Sequence, residues 1–238
     1  MEKYRLTEET INVNGITLYR IEALKDFGDV KEGNKGGFVE NDRNLSHDGN
    51  CWVYGNAKVY DYAKVYGNAL ICDNAKVYGN ALICDNAKVY GAAEVFDNAK
   101  VHTNAEVFGN AKVYGAAEVF DNAKVYSNAE VYNEAWVFEN AKVFGNAEVY
   151  GDAKVFGNAE VCGDALIKDM SDYIVFKNWW SSGRFFTWTK SNDKWKVGCF
   201  YGTGKEVIEK AYKDSEKSGV EYERVVNYVE SILTNEKN

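Results

Sequence analysis

The stretch Gly55-Asn56-Ala57-Lys58-Val59-Tyr60 shows the six-residue unit from which half of this chain is built. The unit recurs from residue 51 to residue 169 in one register and without an insertion. A branched aliphatic residue falls at twenty successive sixth positions, seventeen of them Val and three Ile, and Ala stands two residues before nearly all of them. Ala-x-Val alternation is typical of a short strand with one buried face, and the Gly-Asn pair that follows is typical of a turn.

Short strands and tight turns every six residues, with no helical segment between them, predict a parallel β-helix. Three units per coil would form a triangular prism in which residues eighteen apart stack, and twenty units give six to seven coils. At roughly 4.8 Å per strand layer, this prism would be about 30 Å long. Each coil needs a neighbour to bury its Val, so we expect a cap at both ends.

The pattern over residues 51–169 resembles the hexapeptide-repeat superfamily of left-handed parallel β-helices. From residue 16 onward, including Gly36-Gly37-Phe38-Val39 before the repeat, the sequence is similar to that of bacterial and phage hexapeptide-repeat proteins that are often labelled acyltransferases. The resemblance implies left-handed coils and self-association as a dimer or trimer along a prism face. For the enzymes of the superfamily it implies acyl transfer, with a histidine general base beside a pocket for the acyl donor.

The two ends of the chain depart from the repeat. Residues 1–40 predict an N-terminal β cap containing a hairpin that turns at Asn14-Gly15. Residues 41–169 form the predicted β-helix. Residues 170–238 predict a small α+β domain, so the fold class is mainly β with a C-terminal α+β domain.

The C-terminal domain is predicted to contain three strands and two helices. The strands are centred on residues 173–176, 184–189 and 195–200. Thr203–Glu206 and Ser218–Glu221 have the form of capping boxes, so each predicts the start of a helix. A phosphate-loop interpretation of residues 202–205 fails because the full spacing and the Ser or Thr after Lys205 are missing.

Composition limits the function classes. The formal net charge is −8, and residues 51–169 contribute 10 basic and 16 acidic side chains, a net −6. An acidic rod argues against direct nucleic-acid binding. The absence of a long apolar run and the odd number of cysteines, five, predict no membrane association and a cytoplasmic location, which would be the host cytoplasm for a phage protein.

Two histidines are the weak candidates for a catalytic base. His47 lies at the irregular start of the prism, and His102 occupies a position that the repeat gives to Tyr or Phe. Stacking would place Cys84 beside His102, but two ligands are too few for a typical zinc site, so we predict no metal and no cofactor. The acyltransferase pattern also calls for a loop that interrupts the coils, and residues 51–169 contain none.

Aromatic residues follow fifteen of the twenty aliphatic positions and stack into three predicted ladders. They either stabilise the coils by stacking or form an outward stripe on which another chain docks. We choose the second ladder as the binding surface because no Cys or His interrupts it. Its members are Tyr60, Tyr78, Phe96, Tyr114, Tyr132 and Tyr150. The adjacent Trp179 and Trp180 in the C-terminal domain are the second predicted binding element, since neighbours on a strand face opposite sides.

The sequence therefore favours a non-catalytic β-helical scaffold that binds a protein partner, associates with itself, or does both. The phage resemblance implies a concrete version, an inhibitor of a host defence nuclease in the manner of anti-CRISPR proteins. Two alternatives stay open. One is a hexapeptide-type acyltransferase with an atypical site, and the other is a filament-forming structural protein.

Overall fold

The computed structural model describes residues 2–235 of the chain, so the first residue of the predicted N-terminal cap and the last three of the predicted C-terminal domain lie outside the described residues. The fold is mainly β. Three longer strands precede the repeat, namely β1 (Tyr4–Val13), β2 (Ile16–Ala23) and β3 (Lys35–Val39). Twenty short strands, each two residues long, then follow one another at six-residue spacing. Each consists of one outward residue and the buried aliphatic residue after it.

In chain order, these strands are β4 (Trp52–Val53), β5 (Lys58–Val59), β6 (Lys64–Val65), β7 (Leu70–Ile71), β8 (Lys76–Val77), β9 (Leu82–Ile83), β10 (Lys88–Val89), β11 (Glu94–Val95), β12 (Lys100–Val101), β13 (Glu106–Val107), β14 (Lys112–Val113), β15 (Glu118–Val119), β16 (Lys124–Val125), β17 (Glu130–Val131), β18 (Trp136–Val137), β19 (Lys142–Val143), β20 (Glu148–Val149), β21 (Lys154–Val155), β22 (Glu160–Val161) and β23 (Leu166–Ile167).

Each short strand from β4 to β20 pairs in parallel with the strand three places later in the chain, and this pairing gives the three walls of a prism. Taking every third strand, the first wall runs from β4 to β22, the second from β6 to β21 and the third from β5 to β23. Strands β1, β2 and β3 extend the third wall to a ten-stranded sheet. Partners are eighteen residues apart, as Val89 with Val107 shows. The repeated Ala and Val side chains are buried to 0–1% exposure in one continuous core. The predicted parallel β-helix is confirmed, with about seven turns.

The corners of the prism use left-handed backbone, which explains the alternation of Gly and Asp there. Gly79 and Asp97 both follow an aromatic residue and have φ of 69° and 57°. Asp tolerates this conformation better than most residues, at some cost. The Asp97 carboxylate offsets that cost because it accepts a hydrogen bond from the backbone N–H of Gly115 in the next coil, at 3.3 Å.

The N-terminal strands close the first coil, as predicted. The hairpin of β1 and β2 turns at Asn14-Gly15, where both residues have positive φ. Strand β3 already pairs in parallel with β5, through Val39 and Val59, so the coils begin inside the segment predicted as the cap. At Gly37 a Cβ atom would lie 2.6 Å from the Ala57 carbonyl oxygen, so this close approach requires glycine.

The C-terminal sheet has four strands instead of the three predicted. They are β24 (Tyr173–Lys177), β25 (Phe185–Thr189), β26 (Lys194–Val197) and β27 (Phe200–Gly202), in that spatial order, after the short 3-10 helix η1 (Met170–Asp172). The predicted third strand, 195–200, is two strands because the chain turns at Gly198, whose φ is 55°. A single extended segment cannot contain this left-handed residue.

Two helices pack on this sheet, α1 (Gly204–Asp214) and α2 (Glu216–Asn235). The predicted capping box at Thr203 and Glu206 is confirmed at the start of α1. The start predicted for the second helix was wrong, because α2 begins before Ser218. The Ser218 N–H donates to the Ser215 hydroxyl instead, so Ser215 caps this end. Neither helix in the described range is long and apolar enough to cross a membrane.

The C-terminal domain seals the last coil with side-chain oxygens that accept its free backbone N–H groups. The Thr187 hydroxyl accepts from Glu160 N–H at 2.9 Å, and the Ser191 hydroxyl accepts from Leu166 N–H at 2.7 Å. The Tyr173 ring joins the Val and Ala core, and its hydroxyl donates to a carbonyl oxygen of the last coil, at 2.9 Å. The edge of the solenoid is therefore paired and not left open.

Candidate functional site

The second aromatic ladder is a continuous stack of rings along one prism wall. Neighbouring rings from Tyr60 to Tyr150 lie with centroids 4.9 to 5.4 Å apart and within 9° of parallel. Each ring thus covers the next and shows mainly its edge to solvent. The stacking interpretation of the ladder is confirmed, whereas its role in binding stays a prediction.

The hydroxyl groups of this ladder are tied to carboxylates of the neighbouring column. The Tyr114 hydroxyl donates to Glu130 at 3.0 Å, and Glu130 also forms a salt bridge with Lys112 at 2.9 Å. Burial, and then the Glu130 carboxylate, raise the pKa of Tyr114 to about 12. The same contact, from a ring to the Glu sixteen residues on, joins Tyr78 to Glu94 and Tyr132 to Glu148 in this ladder, and Tyr90 to Glu106 in another ladder.

Exposure divides the predicted ladder into two parts. Tyr60 is buried, 5% exposed, beneath Leu18 and Phe38 of the N-terminal strands, so it cannot meet a partner there. The five rings from Tyr78 to Tyr150 are half-buried. The surface that this wall offers is therefore made of ring edges, bound hydroxyls and charged side chains, and it is less apolar than the sequence suggested.

His102 takes the place of a tyrosine in the ladder and makes the same stacking and Glu contacts. It stacks on Phe120 at 5.1 Å, and its Nε2 lies 3.2 Å from Glu118, sixteen residues on, as for the tyrosines. Its Nδ1 lies 3.1 Å from the Thr103 hydroxyl. Both ring nitrogens therefore have partners within the chain, which supports a structural role.

His47 lies within the first coil, in the segment between Leu45, which pairs with Val65, and β4. Its Nδ1 accepts a hydrogen bond from the backbone N–H of Lys3 at 3.1 Å, and its ring stacks on Tyr4 at 4.3 Å. Beside it the Lys3 ammonium is buried and donates to the Cys51 carbonyl at 2.8 Å. Burial lowers the pKa of Lys3. These contacts fasten the N-terminus onto the first coil.

The two adjacent tryptophans differ in exposure, but the strand alternation expected for them was wrong, because both lie in the turn that follows β24. Trp179 is 71% exposed, whereas Trp180 is 7% exposed and packs edge-on against Tyr222 at 4.9 Å. Trp180 therefore belongs to the core of the C-terminal domain and is not an accessible binding residue. Trp179 is the most exposed Trp side chain of the described chain, and its role as a binding anchor stays a prediction.

A groove that the sequence did not reveal lies between the 40–44 loop and the wall of β6, β9 and β12. It has a volume of about 710 Å³, and Arg43, Tyr62, Lys64, Leu82 and Lys100 are among its lining residues. Neither histidine lines it. The loop lies outside the repeat, so periodicity gives no sign that it folds over this wall.

Among residues 2–235, no three or more His, Cys, Asp or Glu side chains are grouped in a way that could hold a metal ion. All five cysteines are free thiols, and Cys199 is the exposed one. Burial raises the pKa of both Cys72 and Cys162 to about 11.

No protein-family model matches the chain. Over 62 residues it is 39% identical to the protein named uncharacterized acetyltransferase YdcK of Escherichia coli strain K12. The match covers 23% of this chain and 19% of that protein, so it spans about a fifth of the relative's length. The six-residue repeat, the β-solenoid and this match agree on a hexapeptide-repeat β-helix, which confirms the resemblance drawn from the sequence.

Proposed function

We propose that this protein is a non-catalytic scaffold in which the β-helix is a rigid rod and the C-terminal domain binds a protein partner. The observation that carries the proposal is the pairing of uninterrupted coils, capped at both ends, with an exposed Trp179 on the domain that forms one cap. Exposed aromatic anchors on a rigid support are typical of protein interfaces. The five free cysteines support a reducing compartment, so we place the protein in the cytoplasm.

Affinity capture with the full-length protein tests this role. Deleting the C-terminal domain would uncap the last coil, so a point variant is the better tool. Trp179→Ala removes the anchor, and Tyr228→Ala, at a side chain 58% exposed on α2, is the matched control. A partner captured stoichiometrically by the wild type and the control, and lost with Trp179→Ala, supports the proposal. Equal capture by all three refutes the assignment to Trp179.

The resemblance to phage proteins supports one concrete partner, a host defence nuclease. We expect the purified protein to lower the activity of such a nuclease in a reconstituted cleavage assay. The Trp179→Ala variant should lose this effect, while an unchanged cleavage rate at saturating wild-type protein would exclude this version.

Acyl transfer is the second candidate, favoured by the name of the YdcK relative, an uncharacterized acetyltransferase, and by the groove beside Arg43. Acetyl-CoA or succinyl-CoA would bring its phosphates to Arg43, Lys64 and Lys100, which line the groove together with the carboxylates of Glu40 and Asp61. Titration calorimetry with acetyl-CoA decides the point. Binding that Arg43→Ala abolishes supports this candidate, and absence of heat at millimolar ligand rejects it.

A further inference from the structure

The outward charges of one prism wall follow an antisymmetric order. We name the part of this wall made by β5, β8, β11, β14, β17 and β20 the long face; β3 lies beyond one end of it, and β23 with the exposed Leu166 lies beyond the other. Its outward column reads Lys58, Lys76, Glu94, Lys112, Glu130 and Glu148. The signs run plus, plus, minus, plus, minus, minus. Read from the opposite end, every sign is reversed, so the column is complementary to an inverted copy of itself.

The other two walls lack this property. On the wall from β7 to β22, inversion about its centre places Lys88 opposite Lys142, which repel. The wall from β6 to β21 has three outward lysines, Lys64, Lys100 and Lys154, but one outward carboxylate, Glu118. In an inverted second copy there are too few carboxylates to face these lysines. Self-complementarity is thus specific to the wall whose aromatic ladder has no Cys or His interruption.

We propose that the chain forms an antiparallel two-fold dimer through the long face. The axis runs along the strand direction, between the levels of Glu94 and Lys112. Rotation about this axis inverts the prism and keeps positions along the strands, so the charged column meets the charged column and the ladder meets the ladder. Such an isologous contact makes every pair twice.

The pairs follow directly from the order of the strands. Lys58 lies opposite Glu148 of the second copy, Lys76 opposite Glu130, and Glu94 opposite Lys112. In the ladder, Tyr78 lies opposite Tyr132 and Phe96 opposite Tyr114. Within one chain Lys76 already contacts Glu94 at 2.8 Å, so the second copy adds a second carboxylate to a lysine that is fixed in place.

The size of the face sets the expected strength. Six levels of about 4.8 Å and hexads up to about 20 Å long give a flat area of about 600 Å² per copy. This is the lower end of specific interfaces, which begin near about 1,200 Å² in total. We therefore expect a dissociation constant in the micromolar range.

The test is sedimentation velocity of the full chain with charge reversals at Lys76 and Glu130, each at the second level from one end of the column. Lys76→Glu and Glu130→Lys each create two repulsive contacts in a homodimer, so each should weaken association at least about 100-fold. An equimolar mixture of the two variants should recover the dimer, because Glu at 76 then faces Lys at 130 and the remaining Glu130 faces Lys76.

Lys124→Glu is the matched control on another wall. Its lysine is 41% exposed and bridges to Glu106, as Lys76 is 40% exposed and bridges to Glu94. This variant should dimerise like the wild type. If a reversal at 76 or 130 loses the β signal in circular dichroism, Glu94→Lys and Lys112→Glu replace the pair by the same logic.

A monomeric or trimeric wild type overturns the proposal, and so do single variants that dimerise like the wild type or a mixture that stays monomeric. This inference rests on the proposed scaffold role, because a long face without a catalytic site is free to bind a second copy. The two fail separately. Association is measured on the purified protein alone, whereas the scaffold role is tested by capture through Trp179.

Discussion

The seal between the C-terminal domain and the last coil should depend on one buried hydroxyl. Thr187 is 1% exposed, and its hydroxyl accepts the Glu160 N–H at 2.9 Å. Thr187→Val keeps the shape of the side chain and leaves that partly buried N–H without its acceptor. An unsatisfied buried backbone donor costs about 1 to 3 kcal/mol, so we expect a loss of that size in the free energy of unfolding.

Ser191→Ala is the internal control, because it removes an equivalent acceptor from an exposed position. Ser191 accepts the Leu166 N–H at 2.7 Å, and water can replace it there. We expect Ser191→Ala to lower the free energy of unfolding by at most about 0.5 kcal/mol. Urea unfolding measures both values, and hydrogen exchange should show faster exchange at the Glu160 amide in Thr187→Val. Equal losses in the two variants would refute the view that burial of the acceptor decides the strength of the seal.

Three further outcomes follow from the corners, the ladder and the thiols. Asp97→Ala should be less stable than Asp97→Gly by about 1 to 2 kcal/mol in urea unfolding, since Gly adopts the φ of 57° without strain; equal stability would exclude strain at this corner. Because the pKa of Tyr114 is raised to about 12 in the folded protein and is about 10 when unfolded, its contribution to stability is complete below pH 10 and is lost as the pH rises through 12. Tyr114→Phe should reduce this alkaline loss in unfolding experiments, and a wild-type tyrosine absorbance titration centred wholly near pH 10 would contradict it. Cys199 is exposed, so one thiol per folded chain should react rapidly with a disulfide reagent, and Cys199→Ser should remove that phase; a rapid second thiol would show that the coils open.

The repeat was sufficient to predict the prism because its pattern of buried residues and its turn residues indicate the same structure. Val and Ala at fixed spacing specify what is buried, and the Gly-Asn pair specifies where the chain turns. The ends were harder. The strand predicted over 195–200 is interrupted at Gly198, and the second helix starts at Glu216, because no period fixes boundaries in a segment that occurs once.

The candidate site was predicted only in part, since sequence spacing fixes neighbours and not what covers them. Stacking at eighteen residues placed the ladder correctly. The burial of Tyr60 depends on a hairpin more than thirty residues earlier, and the groove beside Arg43 depends on a loop outside the repeat. The Tyr-to-Glu contacts sixteen residues apart could have been found, because Glu recurs at that offset from Tyr78, Tyr114 and Tyr132.

The continuous register of the coils makes chain length a measure of rotation. Eighteen residues return the chain to the same wall, so six residues correspond to a third of a turn. Duplication or loss of one hexad would carry Trp179 around the axis by about 120° while the core stayed intact. Change by three hexads would move it along the axis by about 4.8 Å at constant orientation. A gene of this kind can thus re-aim its terminal domain by recombination between its own repeats, without any substitution in that domain.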